Sequence, residues 1–255
     1  MDRLDRDMTT DEWTSALAAA RARRGRVAAD SPDAPHLPSP LRWALRLIMG
    51  GYRVLMIRRL HWIDRHHWAG GPQILVSNHG RVTDGFIFIS MHRKMHSFIQ
   101  AESFTLPIIG KVFQHSGQIP IAPGGGMQAL DRARAYLAQG DSVLIYPEGK
   151  LNHGAGMLRG KVGAARLAFD SRAPLLPIGV YVPSRWSREI HGHFYGRPTI
   201  GYWQMGGTCY IAVGEPWLPF PPDQVTVDPH QLRLVTDEMM ARISILEDRA
   251  RAASG

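Results

Sequence analysis

Cysteine is nearly absent from this sequence: the only one among its 255 residues is Cys209. An intrachain disulfide is therefore impossible, the disulfide-dense scaffold of a small secreted domain is excluded, and Cys209 is expected in the core of a protein held in a reducing compartment. The sequence also lacks any run of 18 or more uncharged apolar residues, which a spanning helix requires. Its first residues, Met1-Asp2-Arg3-Leu4-Asp5, lack the basic-then-apolar order of a signal peptide. The expectation is a chain that neither spans a membrane nor is exported. No internal repeat, Walker or dinucleotide fingerprint is present, so no bound cofactor is expected. The 12 histidines include His66-His67 and His191-x-His193, but they form no closed ligand set with supporting partners, which disfavours a metal hydrolase. Acidic residues are in deficit, 22 against 30 Lys and Arg, leaving a net charge of +8. That favours an anionic partner; without a recognition motif or a basic-aromatic stripe, nucleic acid is the least supported one.

What is present reads as one globular domain. Hydrophobic residues make up 44% and charged residues 20%, and the length suits a single core. Residues 1–40 are charged, Ala-rich and then Pro-rich, and are read as a flexible arm with one helix-capable piece from Asp11 to Arg24. Residues 41–66 are read as a basic amphipathic helical segment: from Leu41 to Ile63 apolar and aromatic residues are broken by Arg42, Arg46, Arg53, Arg58 and Arg59. Such a helix suits a bilayer interface, where each nearby Lys or Arg contributes on the order of 1 kcal/mol against anionic lipid, and it suits ordinary packing on a core equally well.

Residues 67–255 alternate between short apolar runs and helical patterns. Strands are expected at Gln73 to Ser77, Ser97 to Ala101, Ser142 to Tyr146, Leu175 to Val182 and Thr208 to Val213. Helices are expected at Asp84 to Arg93, Met127 to Gln139 with a stop at Gly140, Gly160 to Phe169 and Pro229 to Ala250. The order is that of an α/β fold.

Two strand-to-loop junctions carry the chemistry. In Ser77-Asn78-His79-Gly80-Arg81-Val82-Thr83-Asp84-Gly85, a His and an Asp five positions on flank a turn. That spacing allows the carboxylate to face one imidazole nitrogen and leaves the other free as a general base. With no nucleophile of its own, such a dyad suits deprotonation of a substrate hydroxyl. Taken alone, the same spacing far more often marks a turn residue and a helix N-cap than a catalytic pair. In Leu144-Ile145-Tyr146-Pro147-Glu148-Gly149-Lys150, Pro sets a bend, Gly permits close approach, and Glu148 and Lys150 offer an acceptor and a cation.

These stretches resemble the glycerolipid acyltransferase family, whose bacterial members include the 1-acyl-glycerol-3-phosphate acyltransferases. Asn78-His79 with Asp84 is similar to the family's N-H-x-x-x-x-D block, Gly117-Gln118-Ile119-Pro120 to its second block, Tyr146-Pro147-Glu148-Gly149 to its F-P-E-G block, and Ala173-Pro174-Leu175-Leu176-Pro177-Ile178 to its fourth. The stretches Gln100-Ala101-Glu102-Ser103-Phe104 and Gly163-Ala164-Ala165-Arg166-Leu167 also read as family text. The resemblance runs from about Ile74 to Pro216.

It implies a mixed β-sheet flanked by helices, with a membrane-associating N-terminal helix where Leu41 to Ile63 stands. It implies transfer of an acyl group from acyl-CoA or acyl carrier protein without a covalent enzyme intermediate. His79 would be the base and Asp84 its orienting group. Asn78, Arg81, Gly117, Ile119, Pro120, Glu148, Gly149, Lys150 and Pro177 would line the substrate site. A peripheral location on the inner face of the cell membrane, with anionic lipid as a partner, would follow. Apart from the resemblance, Phe86, Phe88, Met91, Phe98, Ile108 and Ile109 could line an acyl tunnel or simply belong to the core, and periodicity does not tell the two apart.

The sequence departs from the family at two places. Where phosphate-acceptor members usually end the second block in Asp-Arg, this chain has Ala122-Pro123; where the third continues Thr-Arg-Ser, it has Lys150-Leu151-Asn152. Arg suits bidentate phosphate contact, and neither Pro nor Leu replaces it. The departures point away from lysophosphatidic acid and toward a glycolipid, lipid alcohol, amine-bearing head group or specialised metabolite. Lysophosphatidic acid remains the alternative, with Lys150, Arg81, Arg159 or Lys161 supplying the charge. A non-enzymatic lipid- or carrier-binding relative is the alternative of another class.

Overall fold

The computed structural model describes residues 39–68, 70–91, 94–106, 109–154, 156–194 and 197–255. All but the last two residues of the 1–40 arm, including the piece from Asp11 to Arg24, lie outside them. In chain order the first half holds α1 (Ser39–Met56), β1 (Arg59–Ile63), β2 (Ile74–Ser77), α2 (Asp84–Met91), β3 (Met95–Gln100), α3 (Ile109–His115), β4 (Ile119–Ile121), α4 (Gly126–Ala138) and β5 (Ser142–Ile145). The second holds α5 (Gly163–Ser171), β6 (Leu175–Tyr181), β7 (Ser187–Phe194), β8 (Arg197–Gln204), β9 (Thr208–Val213) and α6 (Pro229–Ala252).

Seven strands form one sheet in the order β1-β9-β6-β2-β5-β3-β4, and β7 and β8 form a separate antiparallel pair. Every neighbour in the large sheet is parallel except β6 and β9. The central strands are short unbroken apolar runs because both their faces are covered. Ile74, Val76, Val143 and Leu175 pack with α4, α5 and α6; Leu75, Leu144, Leu176 and Ile178 pack on the other side with α1, α2 and α3.

Helix α6 starts where local chemistry says it should. The Asp228 carboxylate accepts from Gln231 N–H at 2.8 Å, the Gln231 side chain accepts from Asp228 N–H at 3.2 Å, and Pro229 occupies the first turn. It lies so close to β6 that a Cβ at Gly179 would stand 2.1 Å from the backbone of Leu246 and Glu247. At the other end of the sheet, His96 is buried with Nδ1 2.8 Å from the Gly117 carbonyl and Nε2 2.9 Å from Asp141 Oδ2. Burial alone would push the Asp141 carboxyl up, but the His96 hydrogen bond and the charges of His96 and Lys94 hold it below the usual carboxylate range. Cys209 is fully buried, as expected for a core thiol.

The structure corrects the reading of Leu41 to Ile63 as one helical segment. The helix stops at Met56, and Arg59–Ile63 is an edge strand parallel to β9. Arg58 N–H donates to Gly207 O at 3.0 Å, which draws the chain out of the helix, and Leu60 and Trp62 pack against the core. The β7–β8 pair and the short β4 were not expected from the sequence. No described helix is long and apolar enough to cross a membrane.

Candidate functional site

Strands β2 and β5 are parallel neighbours, so the loops leaving their C-terminal ends emerge side by side. This is where an open α/β sheet exposes side chains to a ligand. Asn78 extends β2 by one position: its side-chain amide donates to the Val180 carbonyl and accepts from Val180 N–H, both at 2.8 Å. Its polar groups are thereby occupied in holding β6. His79 follows with its side chain 20% exposed, and its Nδ1 lies 3.6 Å from Asp84 Oδ2. Asp84 is buried at the start of α2, where the helix dipole favours a carboxylate, and its Oδ2 also accepts from Arg81 N–H at 2.7 Å. At 3.6 Å the His–Asp contact is longer than a hydrogen bond, and Nδ1 is buried without a partner. Catalytic pairs commonly tighten to bonding distance only with substrate in place.

The second loop closes on His79 from the other side. The Tyr146 ring stacks on the imidazole with centroids 3.8 Å apart and planes 13° apart. Its hydroxyl is buried without a hydrogen-bond partner, and burial, followed by the Asp84 charge, pushes the phenol well above its ordinary value. Glu148 is buried and bonds inward: Oε1 accepts from His79 N–H at 3.4 Å, and Oε2 accepts from Asn152 Nδ2 at 2.6 Å and Leu158 N–H at 3.0 Å. Gly149 has φ +70, and a Cβ there would meet the Lys161 side chain at 2.6 Å, so this turn requires glycine. Lys150 is exposed beside it.

Arg81 is anchored by Nη2 to the Val182 carbonyl at 2.6 Å and by Nε to Ser187 Oγ at 3.2 Å. The latter belongs to the β7–β8 hairpin, which lies along the same loop: Val82 N–H donates to Tyr202 O at 2.9 Å, and Gln204 N–H to Thr83 Oγ1 at 3.3 Å. The hairpin's Tyr202 stands against the exposed His153 ring, with centroids 3.1 Å apart. Desolvation, then the nearby Arg81 charge, lowers the His153 imidazole.

Thus His79, Asp84, Asn78, Arg81, Glu148, Gly149 and Lys150 come together. Others do not. Strand β4 is three strands from β2, about 14 Å at close to 4.8 Å per strand. Gly117 precedes β4, at the edge of the sheet opposite the dyad, with its carbonyl bound to His96. Ile119 is fully buried toward α4, and Pro120 is half-buried in β4. Pro177 is on the α6 face beside Gly214 and Leu246. Phe86, Phe88 and Met91 pack on the α1–α3 face and Phe98 on the opposite one, so these four do not line one tunnel. Ile108 and the Ile109 side chain lie outside the described residues. Tyr146, as the ring partner of His79, and Asn152, His153 and Tyr202 were not singled out as site residues from the sequence. An aromatic two residues before Glu148 was the available signal for Tyr146. Among the described residues no three His, Cys, Asp or Glu side chains are grouped to hold a metal.

Chemically, the arrangement presents one imidazole whose Nδ1 faces a buried carboxylate, at a sheet edge open to a ligand. Residues 57–181 match the family model described as Acyltransferase. Over 110 residues the chain is 26% identical to a chloroplastic 1-acyl-sn-glycerol-3-phosphate acyltransferase of Brassica napus, covering 42% of this chain and 32% of the relative. A chloroplastic counterpart from Arabidopsis thaliana is 27% identical over 110 residues, covering 42% and 31%. The matched stretch thus spans about a third of these curated relatives. The fold is similar to the crystal structure of the 1-acyl-sn-glycerophosphate acyltransferase PlsC from Thermotoga maritima, with a TM-score of 0.58, 14% identity, and 95% of this chain and 88% of that one covered.

Proposed function

We propose that the chain is a glycerolipid acyltransferase, a reading supported by its match to the Acyltransferase family model over residues 57–181 and its similarity to the two plant enzymes, and that it moves a fatty acyl group from a thioester, acyl-CoA or acyl carrier protein, to a hydroxyl of a lipid acceptor. The observation that carries this is the placement of His79 at the end of β2 with Nδ1 toward Asp84. In this mechanism His79 Nε2 takes the acceptor proton, the oxygen attacks the thioester carbonyl, the C–S bond breaks, and the thiolate recovers the proton. The acyl group passes directly, and no residue is acylated.

The names of the relatives favour lysophosphatidic acid as acceptor. A second reading, a non-phosphorylated acceptor, is favoured by Pro123 and Leu151, which stand where phosphate-acceptor members carry Arg. Purified protein assayed with acyl-CoA and acyl carrier protein thioesters against an acceptor panel, with products followed by mass spectrometry, separates the two. Transfer to lysophosphatidic acid supports the first, and transfer only to neutral acceptors the second. Vesicle binding without any thioester cleavage would replace both with a non-catalytic lipid-binding role.

We further propose that α1 seats the protein peripherally on the inner face of the cell membrane. Met49 faces the core and the Tyr52 hydroxyl donates to the Gln204 carbonyl, while Trp43, Leu47, Ile48, Val54 and Leu55 are exposed. At 100° per residue Trp43, Leu47 and Val54 fall within about 40° of one another, forming an apolar stripe. Arg58 and Arg59, exposed just past its end, suit anionic lipid. The triple change Leu47→Ser, Val54→Ser, Leu55→Ser removes two of the three stripe residues together with the exposed Leu55 beside it. It is expected to weaken binding to anionic vesicles at least about tenfold in a sedimentation assay, since each buried side chain contributes on the order of 1.5 kcal/mol or more.

A further inference from the structure

The main chain of His79 is gripped on both sides by the loop after β5. Its N–H donates to Glu148 Oε1 at 3.4 Å, and its carbonyl accepts from Asn152 N–H at 2.8 Å. Asn152 reaches Glu148 as well, through Nδ2 to Oε2 at 2.6 Å. The same amide closes its own turn: Nδ2 donates to the Gly156 carbonyl at 2.9 Å and Oδ1 accepts from Gly154 N–H at 3.0 Å. Asn152 therefore touches His79 directly, orients the carboxylate that holds the other side of His79, and stiffens the segment that carries both contacts. Within the His79 loop itself, Arg81 N–H bonds Asp84 Oδ2 at 2.7 Å and Asp84 N–H bonds Arg81 O at 3.2 Å, and both braces lie beyond the histidine. The ring is bounded by Tyr146 on its face and Asp84 at Nδ1, so its aim depends on where the two peptide planes flanking His79 are held.

We propose that Asn152 is a positioning residue for His79, acting through its backbone bond to His79 and its amide bond to Glu148. On this assignment the inward-facing carboxylate of Glu148 serves the base and leaves acceptor contact to other groups. The proposal rests on the general-base reading of His79. An isosteric change isolates it. Asn152→Asp keeps the main-chain N–H and the side-chain shape, but sets a carboxylate against Glu148 Oε2 in place of a donor. Asn152→Ala removes the amide without adding charge.

The test uses the full chain. Steady-state kinetics with acyl-CoA and the acceptor found above are combined with ¹⁵N-histidine NMR, in which the His79 signals are identified by their loss in His79→Gln, and with thermal melting. The expected result for both variants is a kcat about 10²-fold lower, the cost of a misplacement on the order of 1 Å. Both KM values should stay within about twofold, and the Nδ1/Nε2 tautomer signature of His79 should change. A kcat near wild type would overturn the proposal. So would a loss confined to the acceptor KM with the His79 signals unmoved, which would make Asn152 an acceptor contact. If Asn152→Asp fails to fold, Asn152→Ala decides by the same readouts. If the wild-type protein transfers no acyl group, the functional reading fails, and the NMR comparison alone still decides the positioning role.

Discussion

Replacing His79 by alanine is expected to lower kcat by about 10³-fold or more while leaving the protein folded. A positioned general base contributes about 10²- to 10⁴-fold, and among the described residues no other imidazole is paired with a buried carboxylate at this edge of the sheet. The other buried His–Asp pair, His96 with Asp141, is at the opposite edge. The fold should survive because the loop is held by bonds that do not involve the His79 side chain. Its N–H and carbonyl reach Glu148 and Asn152, and Arg81 N–H reaches Asp84. What is lost is the stacked contact with Tyr146 and the 3.6 Å approach to Asp84. Turnover measured beside a thermal melt checks both halves. Wild-type turnover in the variant would remove His79 from the mechanism, and a collapsed melt would show the ring to be a structural element.

The largest effect on stability is expected at Gly179, far from the chemistry. Glycine is required there by close approach: an added Cβ would overlap the backbone of Leu246 and Glu247, which has no rotamer with which to yield. Gly179→Val would push α6 off β6 and disturb a helix that carries Leu232, Met239, Met240, Ile243 and Leu246 into the core. Overpacking of this kind costs about 1–3 kcal/mol where side chains can shift, and a backbone overlap belongs above that range. A loss of more than about 3 kcal/mol in urea unfolding is the expected result, with Gly179→Ala smaller but of the same sign. A change under about 1 kcal/mol would mean that α6 slides along the sheet at no cost.

Much of this was legible in the sequence where local chemistry decides. The run Ile74–Ser77 ending in Asn78-His79, the aliphatic strand before Pro147, and the helix opened by Pro229 are marked by their own residues. Thr208–Val213 was placed correctly to the residue. Strand β1 was not legible because its five residues continue the apolar and basic pattern of the helix before them, and their identity comes from pairing with Thr208–Val213, about 150 positions later. The β7–β8 hairpin is polar and exposed along much of its length, so no apolar alternation announced it. Spacing alone also fails to say which edge or face a residue reaches: Gly117 and Pro177 belong to recognisable blocks, yet one lies at the far edge and the other beneath α6. Glu148 was identified, but its inward orientation depends on Leu158 and Asn152 as donors.

On the proposed function, the one antiparallel pairing in the large sheet would govern how a water-insoluble substrate meets the chemistry. Because β9 runs against β6, and β1 runs with β9, the beginning of β1 lies at the same edge as the ends of β2 and β6. Helix α1 feeds into that beginning and packs on α2, the helix that Asp84 opens. Had β9 run the other way, α1 would join the sheet at the edge where Gly117 and His96 lie. With the strands as they are, and with α1 seated on a bilayer as proposed, a lipid whose tail stays in the leaflet beneath α1 would have only to lift its head group to reach His79. The energetic cost of pulling a long hydrocarbon chain into water, about 0.8 kcal/mol for every methylene exposed, is then largely avoided.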